Sequence, residues 1–136
     1  MNRYIPEKIR NQVADRAGLR CEYCLVCESD SFLRFEIDHI ISLKHGGEND
    51  PENLAYACPH CNQNKGSDLA TFLKSDQLIV GIFNPRKDNW TDHFLIENGE
   101  ILGRSLEGQA TIQLLKLNDP DRIILRRSLA ELGRYP

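Results

Sequence analysis

Apolar positions recur at Ile9, Val13 and Ala17 in residues 6–18, PEKIRNQVADRAG. They form one stripe of a helix, with Pro6 suited to the first turn and Gly18 to a stop. The period then changes. In FLRFEIDHII, residues 32–41, Phe35, Ile37, His39 and Ile41 alternate as they would along a strand. HGGEND supplies the punctuation of a turn or loop, and NLAYAC, residues 53–58, predicts a returning strand with Leu54 and Tyr56 on one face. A short helix is expected through NQNK, and LATFL either extends it or begins another. Farther on, Phe94–Ile96 and Ile101–Leu102 flank ENGE, whose Asn98-Gly99 pair has the chemistry of a hairpin turn. GQATIQLLKLN and DPDRIILRRSLAEL read as two closing helices, the second with Asp119 as N-cap and Pro120 at the first helical position.

These elements predict an α+β fold in a single domain over residues 1–136. An N-terminal helix spans about 6–18 and a strand–loop–strand–helix core about 21–66. A C-terminal extension of hairpin plus helices spans about 78–136. No repeat, low-complexity tract or Pro-rich linker divides the chain, and 136 residues suit one ordinary domain.

Composition narrows the class. Apolar residues at 40% and charged residues at 27% fit a globular protein and exclude a disordered tail. MNRYIPEKIRNQV lacks the apolar core of a secretory signal, and no run is long enough to span a membrane. The expected location is cytoplasmic. The net charge of −3 argues against binding nucleic acid by bulk electrostatics. Basic residues do cluster, however: Lys8, Arg10, Arg16 and Arg20; Lys44 and Lys65; Arg122, Arg126 and Arg127. A solvated surface accounts for each, unless they converge on one groove.

Cysteine spacing carries more information. C-E-Y-C (Cys21, Cys24) and C-P-H-C (Cys58, Cys61) are two knuckles able to present four thiolates to one tetrahedral zinc ion. Disulfides are the weaker alternative in a reducing compartment. Cys27 is spare: C-E-Y-C matches the spacing of C-P-H-C, so Cys27 is left out of the ligand set. The long interval between the knuckles implies a functional module inserted between the halves of the zinc site.

That module has a recognisable order: C-x2-C, D-H-I, G-G, N-L, then C-x2-C-N-x2-K. The residues are Cys21, Cys24, Asp38, His39, Gly46, Gly47, Asn53, Leu54, Cys58, Cys61, Asn62 and Lys65. Over about residues 21–66 the chain resembles the HNH endonuclease family in its zinc-bound form, and its flanks are similar to a bacterial group of small stand-alone HNH proteins. Asn62 stands where many of these proteins have histidine, so the resemblance is to an H-N-N variant. It implies a ββα-metal module pinned by a four-cysteine zinc site. The implied activity is metal-dependent hydrolysis of phosphodiester bonds in DNA, with RNA left open.

Elementary chemistry agrees. His39 suits a general base, since an imidazole pKa near ~6.5 lets it take a proton from water at neutral pH; the bland role for a lone histidine is a hydrogen-bonded core residue. Asp38 and the Asn62 carbonyl are hard oxygen donors for one Mg²⁺ or Mn²⁺ ion. The structural alternative for Asn62 is a helix N-cap. The resemblance implies that the backbone near Asn53 aims the His39 ring, and Asn53 itself is expected to bond across the loop. Strict alternation sends Asp38 and His39 to opposite faces, so both reach one phosphate only if the strand ends or twists there. Lys65 reads either as a substrate phosphate contact or as an exposed helix lysine. His45 and His60 fit loop solvent and the neighbourhood of the zinc knuckle. Arg86, Trp90 and His93 suit either nucleic-acid contact or packing of a small sheet.

Two other classes compete with the nuclease. One is a non-catalytic zinc-stabilised nucleic-acid-binding module; the other is a thiol redox or zinc-sensing protein that would use Cys27. No oligomeric state follows from the sequence; a homodimer would let two sites cut both strands.

Overall fold

The computed structural model describes residues 4–136, and the described residues gather into two compact units that meet in sequence at Asp68 and Leu69.

The first unit begins with α1, Glu7–Arg16, which buries Val13 and Ala14. Pro6 lies just before the helix, where its carbonyl accepts from the Ile9 and Arg10 amides, both at 3.0 Å. Arg16 donates to the Leu54 carbonyl at 2.6 Å and Arg10 to the Phe35 carbonyl, so two helix arginines are tied to backbone at or beside the strands. Strands β1, Glu36–His39, and β2, Leu54–Ala57, pair antiparallel, with Asp38 opposite Ala55 and His39 opposite Leu54. All four residues of β2 are buried. Helix α2, Pro59–Lys65, follows after one residue. This is the expected ββα order.

β1 is shorter than the alternating pattern implied. Phe32 and Leu33 are exposed, and the Phe35 amide goes to the Glu28 carboxylate at 2.7 Å rather than to a strand. The buried positions are Phe35, Asp38 and Ile40, not the predicted Phe35-Ile37-His39-Ile41 face. A β-ladder needs a partner strand, and β2 offers only four residues.

The second unit contains two hairpins and three helices. LATFL is a strand rather than a helix: β3, Ala70–Leu73, pairs with β4, Leu78–Gly81. Pairing of Phe72 with Ile79 and Thr71 with Val80 uses residue types that favour strands. After α3, Trp90–His93, strands β5, Phe94–Glu97, and β6, Glu100–Gly103, form the expected hairpin. Its turn residues Asn98 and Gly99 both have positive φ, 50° and 84°, as a type I′ turn requires. The two closing helices are α4, Leu106–Leu115, and α5, Pro120–Glu131.

Leu73, Val80 and Ala110 form a small core with Ile82 packed against it. Trp90 packs on Phe94, ring centroids 4.8 Å apart, and His93 Nδ1 lies 2.6 Å from the Ser105 hydroxyl. Arg126 is not surface charge: it is 0% exposed, donating to the Gly99 carbonyl at 2.7 Å and to Asn118 Oδ1 at 3.0 Å. Asn118 in turn bonds both backbone groups of Ile101, as a neighbouring strand would. No helix among the described residues is long and apolar enough to cross a membrane.

Candidate active site

The two knuckles converge. The Sγ atoms of Cys21, Cys24, Cys58 and Cys61 all lie within 4.8 Å of one another, and all four residues are buried. In the first knuckle the chain turns through Leu25 at φ 69°, with the Leu25 amide on the Cys21 carbonyl at 2.9 Å. In the second, Cys58 is the N-cap of α2 and its sulfur accepts from the Cys61 amide at 3.4 Å.

Zinc–sulfur bonds of about 2.3 Å at tetrahedral angles put sulfurs roughly 3.8 Å apart. Cys24 and Cys58 Sγ are separated by 3.8 Å, and no cysteine is in a disulfide. The donor set and spacing fit structural zinc. Burial pushes the Cys21 thiol well above its ordinary value, while a hydrogen bond with Cys21 holds Cys24 well below. Burial thus favours a mixture of thiol and thiolate, and a cation bound by all four sulfurs would release the remaining thiol protons. Cys27 is half-buried outside the cluster, its sulfur accepting from the Ser29 hydroxyl at 3.3 Å.

Beside the zinc cluster, β1 ends at His39. A pocket of about 400 Å³ is lined there by Asp38, His39 and Asn62, with Ser42, Lys44 and Ser67 on its wall. Alternation does separate Asp38 from His39, but the end of the strand lets both border one cavity.

Asp38 is 3% exposed. The Tyr23 hydroxyl donates to its Oδ2 at 2.6 Å and the Lys65 ammonium to its Oδ1 at 3.2 Å. Burial raises its carboxyl above the usual range, against the opposing pull of Lys65 and the Tyr23 hydroxyl. Its own burial and the same contact push the Tyr23 phenol well up, so Tyr23 remains the donor. Two hydrogen bonds leave lone pairs on a carboxylate that has about four acceptor sites, so Asp38 can still ligate a cation.

Lys65 is placed differently from the phosphate contact or exposed lysine expected of it. It is 1% exposed, and its ammonium also donates to the carbonyls of His39 at 3.0 Å and Ile40 at 3.2 Å. With Asp38, these acceptors occupy all three of its donors, so Lys65 ties α2 to the end of β1 from inside. Lys44 is the exposed lysine on the pocket.

Asn62 is not the cap of α2, since Cys58 holds that position. Its Nδ2 donates to Glu36 Oε2, which turns the amide oxygen away from Glu36. Asn53 bonds across the loop as expected: Oδ1 accepts from the Ile41 amide, and Nδ2 donates to the Ile41 and Glu48 carbonyls, all at 2.9 Å. The Asn53 carbonyl takes the Ile40 amide at 2.9 Å, while the His39 ring has a side-chain partner: its Nε2 lies 2.7 Å from Asn49 Oδ1. Gly47 closes the same loop so tightly that a Cβ there would fall 1.7 Å from the Ile41 carbonyl oxygen. His45 is exposed and His60 half-buried, with Asn64 Nδ2 3.4 Å from its Nε2.

Tyr23, Glu36 and Asn49 were not singled out by sequence. Two carried a signal. Tyr23 sits between zinc-knuckle cysteines, where a buried hydroxyl must find a partner. Glu36 is two residues before Asp38, on the same strand face.

Residues 21–68 match the HNH endonuclease family. The chain carries an HNH domain. Over 125 residues, 89% of the chain, it is 28% identical to the Septu protein PtuB of Bacillus thuringiensis, of which the match covers 45%. Over 91 residues, 66% of the chain, it is 30% identical to the CRISPR-associated endonuclease Cas9 of Corynebacterium diphtheriae, of which it covers 8%. The chain thus spans less than half the length of either relative. No solved structure matches it significantly. The pocket at the end of β1 occupies the Asp-His and Asn positions of the motif.

Proposed function

We propose that the protein is a metal-dependent endonuclease that hydrolyses phosphodiester bonds in DNA, with His39 as general base. One observation carries this: the adjacent Asp38 and His39 and the distant Asn62 border a single pocket. Asp38 and Asn62 would hold one Mg²⁺ or Mn²⁺ ion, since both are hard oxygen donors and both keep an oxygen with unused acceptor capacity. Such an ion supplies Lewis-acid stabilisation of the phosphate and of the departing 3′ oxygen.

The chain's own groups do the rest. His39 takes the proton of the attacking water. Lys65 and Tyr23 keep the Asp38 carboxylate charged and fixed, and Glu36 orients the Asn62 amide. Asn53 holds the loop that faces His39, and Lys44, exposed on the pocket, suits contact with the DNA backbone. Zinc on the four cysteines would tie the knuckle that carries Tyr23 to the start of α2 that carries Asn62, and so brace the site from both sides.

Supercoiled plasmid incubated with wild type or His39→Ala in EDTA, Mg²⁺ or Mn²⁺ tests the proposal. Nicked or linear product is expected only from wild type with added metal. Equal cleavage by a zinc-loaded His39→Ala removes His39 from the chemistry. DNA binding without cleavage by either protein would favour a non-catalytic binding module.

A further inference from the structure

The His39 ring is half-buried, with its Nε2 2.7 Å from Asn49 Oδ1. The Asn49 amide nitrogen faces the other way, 3.5 Å from the Tyr4 carbonyl. A carbonyl only accepts, so it takes the amide's nitrogen side and leaves the oxygen for the ring. An amide oxygen also only accepts. The ring nitrogen facing it must therefore carry the proton, and in a neutral imidazole that leaves the lone pair on Nδ1.

Asn49 is itself held from behind. Asn53 Nδ2 grips the Glu48 carbonyl at 2.9 Å, the peptide immediately before Asn49. The Gly47 amide bonds the Ser42 carbonyl at 2.9 Å, closing the loop onto the residues that follow His39. The order of support runs from Asn53, through the peptide that joins Glu48 to Asn49, to the ring.

We infer that Asn49 is a positioning residue that holds His39 as its Nε2–H tautomer, so that Nδ1 is the atom that receives the proton from water. The inference rests on His39 being the base, and it assigns to Asn49 the aiming role expected of the backbone at Asn53. Asn53 acts one step farther back, on the loop.

The test uses the zinc-loaded full chain, labelled with ¹⁵N at histidine and free of Mg²⁺ and Mn²⁺. The pH is set well above the imidazole range so that the rings are neutral. Long-range ¹H–¹⁵N spectra distinguish the two tautomers, and His39→Ala identifies the His39 signals among those of the four histidines. Wild type should show a protonated Nε2 and a bare Nδ1. Asn49→Ala should relax the His39 signals toward the tautomer mixture of a free histidine ring, and Asn49→Asp, which keeps an acceptor at the same place, should retain the wild-type pattern.

In plasmid cleavage, Asn49→Ala should lower the rate at saturating DNA by at least about 10- to 100-fold, the loss typical when a histidine that ligates a metal loses the partner that orients it. Asn49→Asp should recover most of the loss. A protonated Nδ1 in wild type, or an unchanged pattern in Asn49→Ala, overturns the inference. So does an altered tautomer with an unaltered rate. Loss of the nuclease assignment would be seen separately, as equal cleavage by His39→Ala, and would leave the tautomer readings interpretable by themselves.

Discussion

Lys65 and Asp38 meet inside the HNH domain, ammonium to carboxylate oxygen at 3.2 Å, with side chains 1% and 3% exposed. Neither has bulk water to fall back on. Removing one partner of a buried pair strands the other charge and costs about 3–5 kcal/mol. Lys65→Met is therefore expected to destabilise the protein by that amount in chemical denaturation. Lys65→Met combined with Asp38→Asn should recover part of the loss, because the stranded carboxylate is gone; a double variant less stable than the sum of the singles would show that the pair is not the source.

Burial raises the Asp38 carboxyl pKa, which sets the sign of a pH effect. A proton and a metal ion compete for the same oxygens, and the raised value lets the proton win at higher pH than at an exposed aspartate. Mn²⁺ affinity, measured by calorimetry on His39→Ala to remove the imidazole, should be greatest above that raised value and decline as the pH falls through it. An affinity that stays flat to the pH at which exposed carboxylates protonate would take Asp38 out of the ligand set.

Zinc should be present at one ion per chain and be lost with Cys58→Ser but not with Cys27→Ser, since Cys27 lies outside the cluster. Apparent binding energies for structural zinc are about 10–16 kcal/mol at neutral pH, and the ligand thiols must lose protons. Chelation should thus lower the melting temperature sharply, and more readily as the pH is reduced. Elemental analysis that finds zinc lost from Cys27→Ser would revive a redox role for that thiol.

The Asn53 clamp predicts an unusual ranking. Asn53→Ala loses three hydrogen bonds, at about 0.5–1.5 kcal/mol each. Asn53→Asp keeps the acceptor for the Ile41 amide but points a second oxygen at the Ile41 and Glu48 carbonyls. The aspartate variant should be at least as destabilised as the alanine one by urea denaturation, although it is the closer isostere. A near-native Asn53→Asp would mean that the clamp contributes little.

Gly47→Ala must move backbone, because its Cβ would fall 1.7 Å from the Ile41 carbonyl oxygen and 2.8 Å from Asn53 Nδ2. The expected result is a loss of cleavage together with a lower melting temperature, where Gly46→Ala, at φ 87° with open space around its Cβ, should cost only backbone strain. Equal effects of the two substitutions would contradict the close approach.

The sequence made the site's principal residues legible because fixed spacing around two zinc knuckles is a pattern in one dimension. It could not show which side of α2 faces inward, so Lys65 read as surface. It set Asn62 in the order of the motif but also offered it a capping role that the Cys58 sulfur fills. Tyr23, Glu36 and Asn49 are ordinary residue types whose meaning comes from contacts across space, to Asp38, Asn62 and His39. In the second unit the Asn98-Gly99 turn was legible because positive φ at both positions demands such residues. β3 was not, because LATFL is apolar enough for helix or strand and only pairing with β4 decides. Arg126 was hidden for the same reason: a charge on a helix announces solvent until Gly99 and Asn118 are seen to meet it.

The convergence of Cys21 and Cys61 has a consequence for how such a domain travels between proteins. Their sulfurs lie within 4.8 Å, so the first and last residues of the four-cysteine motif sit side by side. A segment with adjoining ends can be spliced into a surface loop of a host without prying the host apart. Such a segment needs little of its host's length: residues 21–68 carry the whole family match in this chain. The four cysteines act as a clasp that closes the segment on itself, so its fold asks little of the chain on either side.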